Sequence, residues 1–436
     1  MEREREKVWK REASLEMEIS LRRIKKSLEA GNISLCIKEI MTLAVANRAT
    51  DIHLEAHRMF MRVDTVMCLI LDDIQDGVFI SIIRGFYALT KGQQINQRKT
   101  NRGSFVHEIL AVSKPGKNVL GKLQTYEIAC RITVMPTATG IMAAYIRLRD
   151  PHHIPPLDKL GLLSEDLEMI QRIVIQRYRS TGVFLVTGPT NSGKSTLLLS
   201  ILEEIYKKAE GKISVATIED PVEIKMKNFA QFSINPGAGM TFGDAVRDVL
   251  TCDKDLLFVG EIRDPDTAQV VFRASSTGHL TVSTLHAKDT LHTFERLREL
   301  GILPSEMSGH LLGIVSQRLL RRLCPRCKES YDATEDIKKL NKMGYPGLED
   351  LQLFRPKEGG CEYCKGRGIR GMVIILEILD TTEMEFRLAL SKEGVSMSRL
   401  LEFSNEQKMR TLFDAAVKRI KKGEISVEDA LATVHR

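Results

Sequence analysis

At 436 residues the chain is too long for one compact core, which points to two or three domains. Its 43% hydrophobic and 28% charged content is that of a soluble globular protein. The longest apolar runs, MCLIL (67–71) and GVFLV (182–186), fall far short of the roughly 20 residues of a membrane span. The start, MEREREKVWKRE, lacks the apolar block of a secretory signal, so the chain is expected in the cytosol unless a partner holds it at a membrane. A net charge of +7, from 64 basic and 57 acidic residues, is too mild to argue for nucleic acid by itself. Eight cysteines without an export signal read as thiols or metal ligands rather than disulfides.

Residues 1–31 alternate acid and base around Val8, Leu15, Ile19, Ile24 and Leu28, the spacing of a charged helix that Gly31-Asn32 would stop. Residues 32–150 then read as a small α/β domain. DIHLE (51–55), MFMRVD (59–64), YEIACRITVMPT (126–137) and IMAAYIRLR (141–149) are its strands, and VFISIIRGFYAL (78–89) its helix. The proline-rich stretch through 151–161 is a linker. From 162 to 436 strand and helix alternate. A helix over 165–178 precedes the strands GVFLVTG, KISVATIED (212–220), DLLFVGE (255–261) and HLTVSTLH (279–286). Helices start at Lys194 and lie around Phe242–Leu250 and Thr267–Ser276. That alternation predicts a mostly parallel sheet covered by helices.

GPTNSGKST (188–196) fits G-x-x-x-x-G-K-[ST] between a strand and a helix. Backbone N–H groups of Gly188, Pro189's successors Thr190, Asn191, Ser192 and Gly193, and of Thr196 would cradle phosphates. Lys194 would reach the β- and γ-phosphates, and the Ser195 hydroxyl would ligate Mg²⁺. DLLFVGEIRD ends in acids, with Glu261 placed to polarise the attacking water. TIEDPVE puts Glu219, Asp220 and Glu223 at another strand end, and ends of adjacent parallel strands converge on one crevice. His279 and His286 bracket the last of these strands, where either one senses the γ-phosphate or couples to a neighbouring subunit.

Two C-x-x-C pairs, Cys324/Cys327 and Cys361/Cys364, have the spacing of a closed four-thiolate Zn²⁺ site, structural rather than catalytic. Cys36, Cys68, Cys130 and Cys252 are isolated and read as buried small apolar residues. QRLLRRLCPRCK (317–328) reads as an arginine-rich helix. It offers either a nucleic-acid surface or a subunit contact, and the lack of interleaved aromatics disfavours nucleic acid.

These blocks, in this order, resemble the secretion-ATPase superfamily, the assembly ATPases of type II secretion systems and type IV pili. The likeness lies in GPTNSGKST, TIEDPVEI, VGEIRDPDTA, STGHLTVSTLHAKDT, SQRLLRRLCPRC and GCEYCKGRG, and upstream in RATDIHLE, MRVD and CRITVMPTATG. The resemblance implies a RecA-like motor domain preceded by a small, PAS-like α/β domain, with a tetracysteine zinc subdomain inserted over about 320–370. It also implies a ring of six subunits that burns ATP with Mg²⁺. Glu219 would lie in an acidic box, Glu261 would be the catalytic carboxylate, His279 and His286 would form a histidine box. Arg131 and Arg147 would reach the phosphates from the smaller domain.

The zinc pairs imply the assembly branch. The implied setting is the cytoplasmic face of a bacterial inner membrane, on a polytopic platform protein, with a cytoplasmic adaptor reached through the N-terminal helix. The start of the chain leads to the expectation that the relatives' extra N-terminal docking domain is absent or reduced. Thr65 follows Asp64 where relatives usually carry glycine, and Asn191 likewise replaces a usual glycine. A DNA-translocating or conjugation motor is the alternative, and a slow nucleotide switch with a zinc interaction module is a third reading.

Overall fold

The computed structural model describes residues 15–90, 95, 100–112, 123–149, 154–234, 239–347, 351–393 and 396–434. The chain divides into two compact units. Unit 1 comprises residues 1–152, 321–329 and 355–371, and unit 2 the remainder. Val8 and residues 150–153 of the expected linker lie outside the described residues.

In unit 1 the charged segment is a helix, α1 (Leu15–Glu29), which ends at Gly31 with φ +67°. Asn32 then opens a second helix not foreseen in the sequence, α2 (Ile33–Ala46), by accepting a hydrogen bond from Leu35 N–H at 3.0 Å. This is an ordinary N-cap, satisfying one of the four orphan donors at a helix start. Strands β1 (Ala49–Glu55), β2 (Arg58–Val63) and β3 (Val66–Leu71) lead to helix α3 (Asp76–Ala88). Strands β4 (Asn101–Val112), β5 (Leu123–Pro136) and β6 (Met142–Arg149) complete an antiparallel sheet in the order β3-β2-β1-β6-β5-β4.

Period-two alternation sets its two faces. Ile52 and Leu54 of β1 and Ala144 and Ile146 of β6 are fully buried in a core with Ile40, Met41, Phe79 and Phe86 of α2 and α3. Each fully buried aliphatic or Phe side chain there contributes about 1.5–3 kcal/mol. His53, Glu55, Tyr145 and Arg147 fall on the opposite face by the same alternation.

Unit 2 is built on a seven-stranded sheet, order β15-β12-β7-β11-β10-β8-β9. In chain order its parts are α4 (Ser164–Ile170, continued by a π turn over Gln171–Ile175), β7 (Gly182–Thr187) and α5 (Lys194–Lys208). Then come β8 (Val215–Glu219), β9 (Ala230–Ser233), α6 (Phe242–Leu250), β10 (Leu256–Val259), α7 (Pro265–Ser276), β11 (Leu280–Leu285) and β12 (Leu311–Leu323). The short β13 (Glu329–Ser330) and β14 (Phe354–Arg355) pair with each other, and β15 (Ile369–Asp380) closes the large sheet. Strands β12, β7, β11, β10, β8 and β9 run parallel. All six residues of β7 are buried. Phe184 and Val186 pack with Leu197 and Ile201 of α5, while Val183 and Leu185 pack on the other face with Val271 and Phe272 of α7. A strand covered by helices on both faces needs such an unbroken apolar run.

The structure corrects two sequence expectations here. Residues 317–323 are strand, not helix: they are the second half of β12, whose first half pairs with β7 from Leu311↔Val183 to Ser316↔Thr187. The run LLGIVSQ (311–317) is wholly buried. It supplies the partner that the β7 backbone requires on that side, which outweighs the helical spacing of the arginines and leucines after it. Cys252, past the end of α6, is exposed rather than buried, whereas Cys36, Cys68 and Cys130 are buried as expected.

Candidate nucleotide and metal sites

The loop after β7 is shaped by three residues at positive φ: Gly188 (+145°), Asn191 (+64°) and Gly193 (+85°). A Cβ on Gly188 would stand 2.5 Å from the carbonyl oxygen of Gln317, so only glycine fits there. Asn191 takes the left-handed conformation that asparagine tolerates best after glycine. Pro189, Thr190 and Asn191 are exposed, Ser192 is buried, and Ser195 and Thr196 are half-buried on the first turn of α5. The N–H groups of that turn are unpaired by the helix itself and carry its positive dipole end. Lys194 is buried, and its ammonium donates to Gly188 O and Pro189 O, both at 2.9 Å. Burial, and then the Arg318 guanidinium, lower its pKa to about 8. The lysine is thus aimed across the mouth of the loop, onto acceptors weaker than a phosphate oxygen.

The parallel register brings the C-terminal ends of β7, β11, β10 and β8 side by side. Thr187 Oγ1 ties the end of β7 to Ala287, and Thr284 Oγ1 donates to Gly260 O at 2.7 Å. Glu219, at the tip of β8, is buried; it accepts from Thr217 Oγ1 at 2.7 Å and Gln231 Nε2 at 3.3 Å. Burial raises its pKa, with Glu223 adding to the effect. Glu261 accepts from Arg263 Nε, and Arg263 also lies 3.7 Å from Asp220 Oδ2. His286 Nε2 stands 3.8 Å from Glu261 Oε2. Burial and then the Lys194 charge lower the His286 pKa, so the imidazole is neutral at pH 7. His286 follows β11, the strand between β7 and β10, which sets it between the loop and Glu261. One crevice therefore gathers the loop, Glu219, Asp220, Glu223, Glu261 and His286.

His279 is not part of it. It precedes β11, its carbonyl accepts from Gly182 N–H at the start of β7, and its ring meets Ala274 O at 3.2 Å. Six residues of strand put about 20 Å between that end and the loop. Of the two roles expected of His279, strand length excludes sensing the γ-phosphate on its own loop, and coupling to a neighbouring subunit is left as a proposal. Arg131 and Arg147 belong to unit 1, directly opposite each other on β5 and β6, and Arg147 is ion-paired with Asp51 at 3.1 Å.

Two residues at the loop were missed in the sequence. Gln317, buried on β12, donates from Nε2 to Ser192 O at 2.5 Å. Arg318 donates to Gln317 O at 3.0 Å and to Lys288 O, which holds its half-buried charge beside Gly188. No local signal marks them: the pairing of 311–316 with β7 is what sets Gln317 and Arg318 beside the loop that β7 feeds.

In unit 1 the four cysteines Cys324, Cys327, Cys361 and Cys364 converge, with all sulfurs within 4.8 Å of one another. Three Sγ–Sγ distances are 3.8, 3.7 and 3.8 Å. Tetrahedral Zn²⁺ with Zn–S bonds of about 2.3 Å sets sulfurs about 3.8 Å apart, so the donor set fits the metal. Cys361 N–H and Gly368 N–H donate to Cys364 Sγ at 3.1 and 3.2 Å, as second-shell donors to a thiolate do. Around it, Arg326 and Arg370 both lie 4.2 Å from the Tyr363 ring centroid. Arg367 pairs at 3.4 Å with Asp64, and Lys365 donates to Asn47 at 2.9 Å, anchoring the knuckles to the β2–β3 turn and the end of α2.

Sheet, loop and strand-end carboxylates define an α/β protein of the P-loop class that also carries a four-cysteine cluster with the geometry of a metal site. The chain belongs to the Type II/IV secretion system protein family, whose profile matches residues 26–432. Its relatives include the type IV pilus assembly ATPase PilB of Thermus thermophilus, 33% identical over 91% of this chain and 42% of that protein. The type II secretion system protein E of Aeromonas hydrophila is 32% identical over 91% of this chain and 74% of that protein. The chain spans about two fifths and just under two thirds of the length of two pilus-assembly relatives. Among solved structures, the pilus retraction motor PilT with bound ADP is 26% identical, covering 91% of this chain and 96% of that one at a TM-score of 0.59. The Yersinia pseudotuberculosis ATPase DotB shares the fold at a TM-score of 0.65 and 20% identity. No helix among the described residues is long and apolar enough to cross a membrane.

Proposed function

We propose that the chain is a Mg²⁺-dependent ATPase working as a homo-hexameric ring that powers pilin or pseudopilin assembly in a type IV pilus or type II secretion system. The observation that carries the reading is the crevice: phosphate loop, buried Lys194 and Glu261 at one sheet edge, in a chain of this family. In it, the loop N–H groups and Lys194 bind the triphosphate, and Ser195 holds Mg²⁺, which neutralises charge between the phosphates. Glu261 orients the attacking water and takes its proton, while neutral His286 keeps the far side of that carboxylate fixed. Buried Glu219, exposed Asp220 and half-buried Glu223 complete the water network. Arg131 and Arg147 are proposed as cations acting on the phosphates, and Asp51 aims Arg147. The thiolate centre holds structural Zn²⁺.

The setting we propose is peripheral, on the cytoplasmic face of the inner membrane, against a polytopic platform protein, with α1 available to an adaptor. The small domain is read as PAS-like and unit 2 as RecA-like. The DNA-translocase alternative leaned on an arginine-rich helix; that segment is strand, with Arg318 turned onto backbone carbonyls. Purified protein assayed for ATP hydrolysis with and without Mg²⁺, and with and without duplex or single-stranded DNA, tests both. Hydrolysis that needs Mg²⁺ and ignores DNA supports the assembly motor. Strong, salt-sensitive stimulation by DNA supports the alternative, and no hydrolysis at all removes the ATPase.

A further inference from the structure

Two buried polar atoms at the phosphate loop have no hydrogen-bond partner among the described residues: Ser192 Oγ and Gln317 Oε1. They belong to residues already joined, since Gln317 Nε2 donates to Ser192 O at 2.5 Å. Ser192 is 4% exposed and Gln317 2%, so water does not readily serve either atom. Packing is tight on every side. A Cβ on Gly188 would lie 2.5 Å from Gln317 O and 2.9 Å from Ser192 Oγ, and one on Gly193 would lie 2.9 Å from Gln317 Nε2. Gln317 therefore touches both glycines of the loop and has little room to swing. A hydroxyl is a rotatable donor and an amide oxygen an acceptor, so the two unpaired atoms are chemically complementary. Leaving both unmade in a dry site is unfavourable, and marks a loop conformation that a small rotation would improve.

We infer that Gln317 is a positioning residue for the phosphate loop, and that the nucleotide-bound loop closes a second bond, from Ser192 Oγ–H to Gln317 Oε1. The inference rests on reading the loop as the nucleotide site. Phosphate capture turns the Ser192 and Gly193 N–H groups inward. The same turn moves the Ser192 hydroxyl, and a two-point amide contact then holds the turned state. Because Gln317 lies on β12 and the loop leaves β7, the contact couples loop state to two adjacent strands.

A double-mutant cycle on the full chain tests it, with Ser192→Ala, Gln317→Ala and the pair, reading MgATP Kd by calorimetry and the nucleotide-free Tm. Ser192→Ala is expected to leave that Tm unchanged or raise it, because it deletes an unpaired buried hydroxyl, yet to weaken MgATP about five-fold. The double variant should bind no worse than the weaker single one. Additive losses, or wild-type affinity in Ser192→Ala, overturn the inference. Gln317→Glu keeps the shape without the donor and should bind at least five-fold more weakly; wild-type affinity there also overturns it. If Gln317→Ala does not fold, Ser192→Ala and Gln317→Glu decide. Lys194→Ala separates the two levels. If it abolishes binding while Ser192→Ala and Gln317→Glu keep wild-type affinity, the positioning role falls and the site stands; if it binds normally, the site falls and the inference with it.

Discussion

Glu261 and His286 face each other across the ends of two adjacent parallel strands, Oε2 to Nε2 at 3.8 Å. Burial, and then the nearby Lys194 charge, lower the imidazole's pKa, so at pH 7 it sets no full charge beside Glu261. Arg263 steadies the Glu261 side chain. Glu261→Gln keeps the volume and removes the proton acceptor. Its turnover should fall by at least about 100-fold while MgATP affinity stays within a few-fold, as expected when only a transition-state role is lost. Steady-state hydrolysis beside equilibrium binding checks this, and wild-type turnover would remove Glu261 from its role.

Lys194 gives the site a pH signature. Its folded pKa of about 8 lies below the ordinary 10.5, because burial penalises the ammonium. Between those values the unfolded chain binds more protons than the folded one, so this residue's destabilising contribution is full below pH 8 and fades as pH rises toward 10.5. Lys194→Met should raise the nucleotide-free stability at pH 7 by about 1 kcal/mol, after loss of two carbonyl hydrogen bonds, with the gain gone by about pH 9 and reversed above it. Urea melts across that range measure it. Triphosphate binding needs the charged form, so wild-type MgATP affinity should hold steady below pH 8 and weaken by up to about tenfold per unit above it.

Positive φ separates two exposed substitutions. Thr65, at φ +68° after Asp64 at +48°, makes the two-residue β2–β3 turn, and a β-branched side chain is strained there. Thr65→Gly should stabilise the protein by about 1 kcal/mol, read as a rise in melting temperature. Asn191→Gly, at φ +64°, exchanges one tolerant residue for another and should leave ATP affinity within a few-fold. A large change would give the asparagine side chain a direct part in binding.

The four sulfurs should hold one Zn²⁺ per chain, countable by elemental analysis. Cys361→Ser should lose the metal and lower the melting temperature. Chelation of the wild type should reproduce the loss, because a four-thiolate site binds metal as part of its fold.

Much of this was readable before any coordinates. The phosphate loop, the strand-end carboxylates and the cysteine pairs are local patterns whose spacing carries their chemistry. The unbroken apolar run of β7 and the alternation of β1 and β6 follow from which faces are covered. What escaped was set by neighbours in space. Residues 317–323 have helical spacing on their own, and only pairing of 311–316 with β7 makes them strand. Gln317 and Arg318 drew notice only as part of that segment, because nothing local to them signals the loop 125 residues away that they touch. His279 and His286 look equivalent flanking one strand, and strand direction alone tells which one meets Glu261.

Asp64 and Arg367 are 303 positions apart (367 − 64), yet their ion pair is almost wholly buried in unit 1. Translation proceeds at roughly 5–20 residues per second, so the first cysteine pair and this arginine leave the ribosome many seconds after β1–β6. The amino-terminal sheet can collapse early, but it waits for the cysteine pairs and its last contacts until the whole parallel sheet up to β12 has been made. A ribosome that stalls within that sheet would leave the phosphate loop without Gln317 and the front half unfinished.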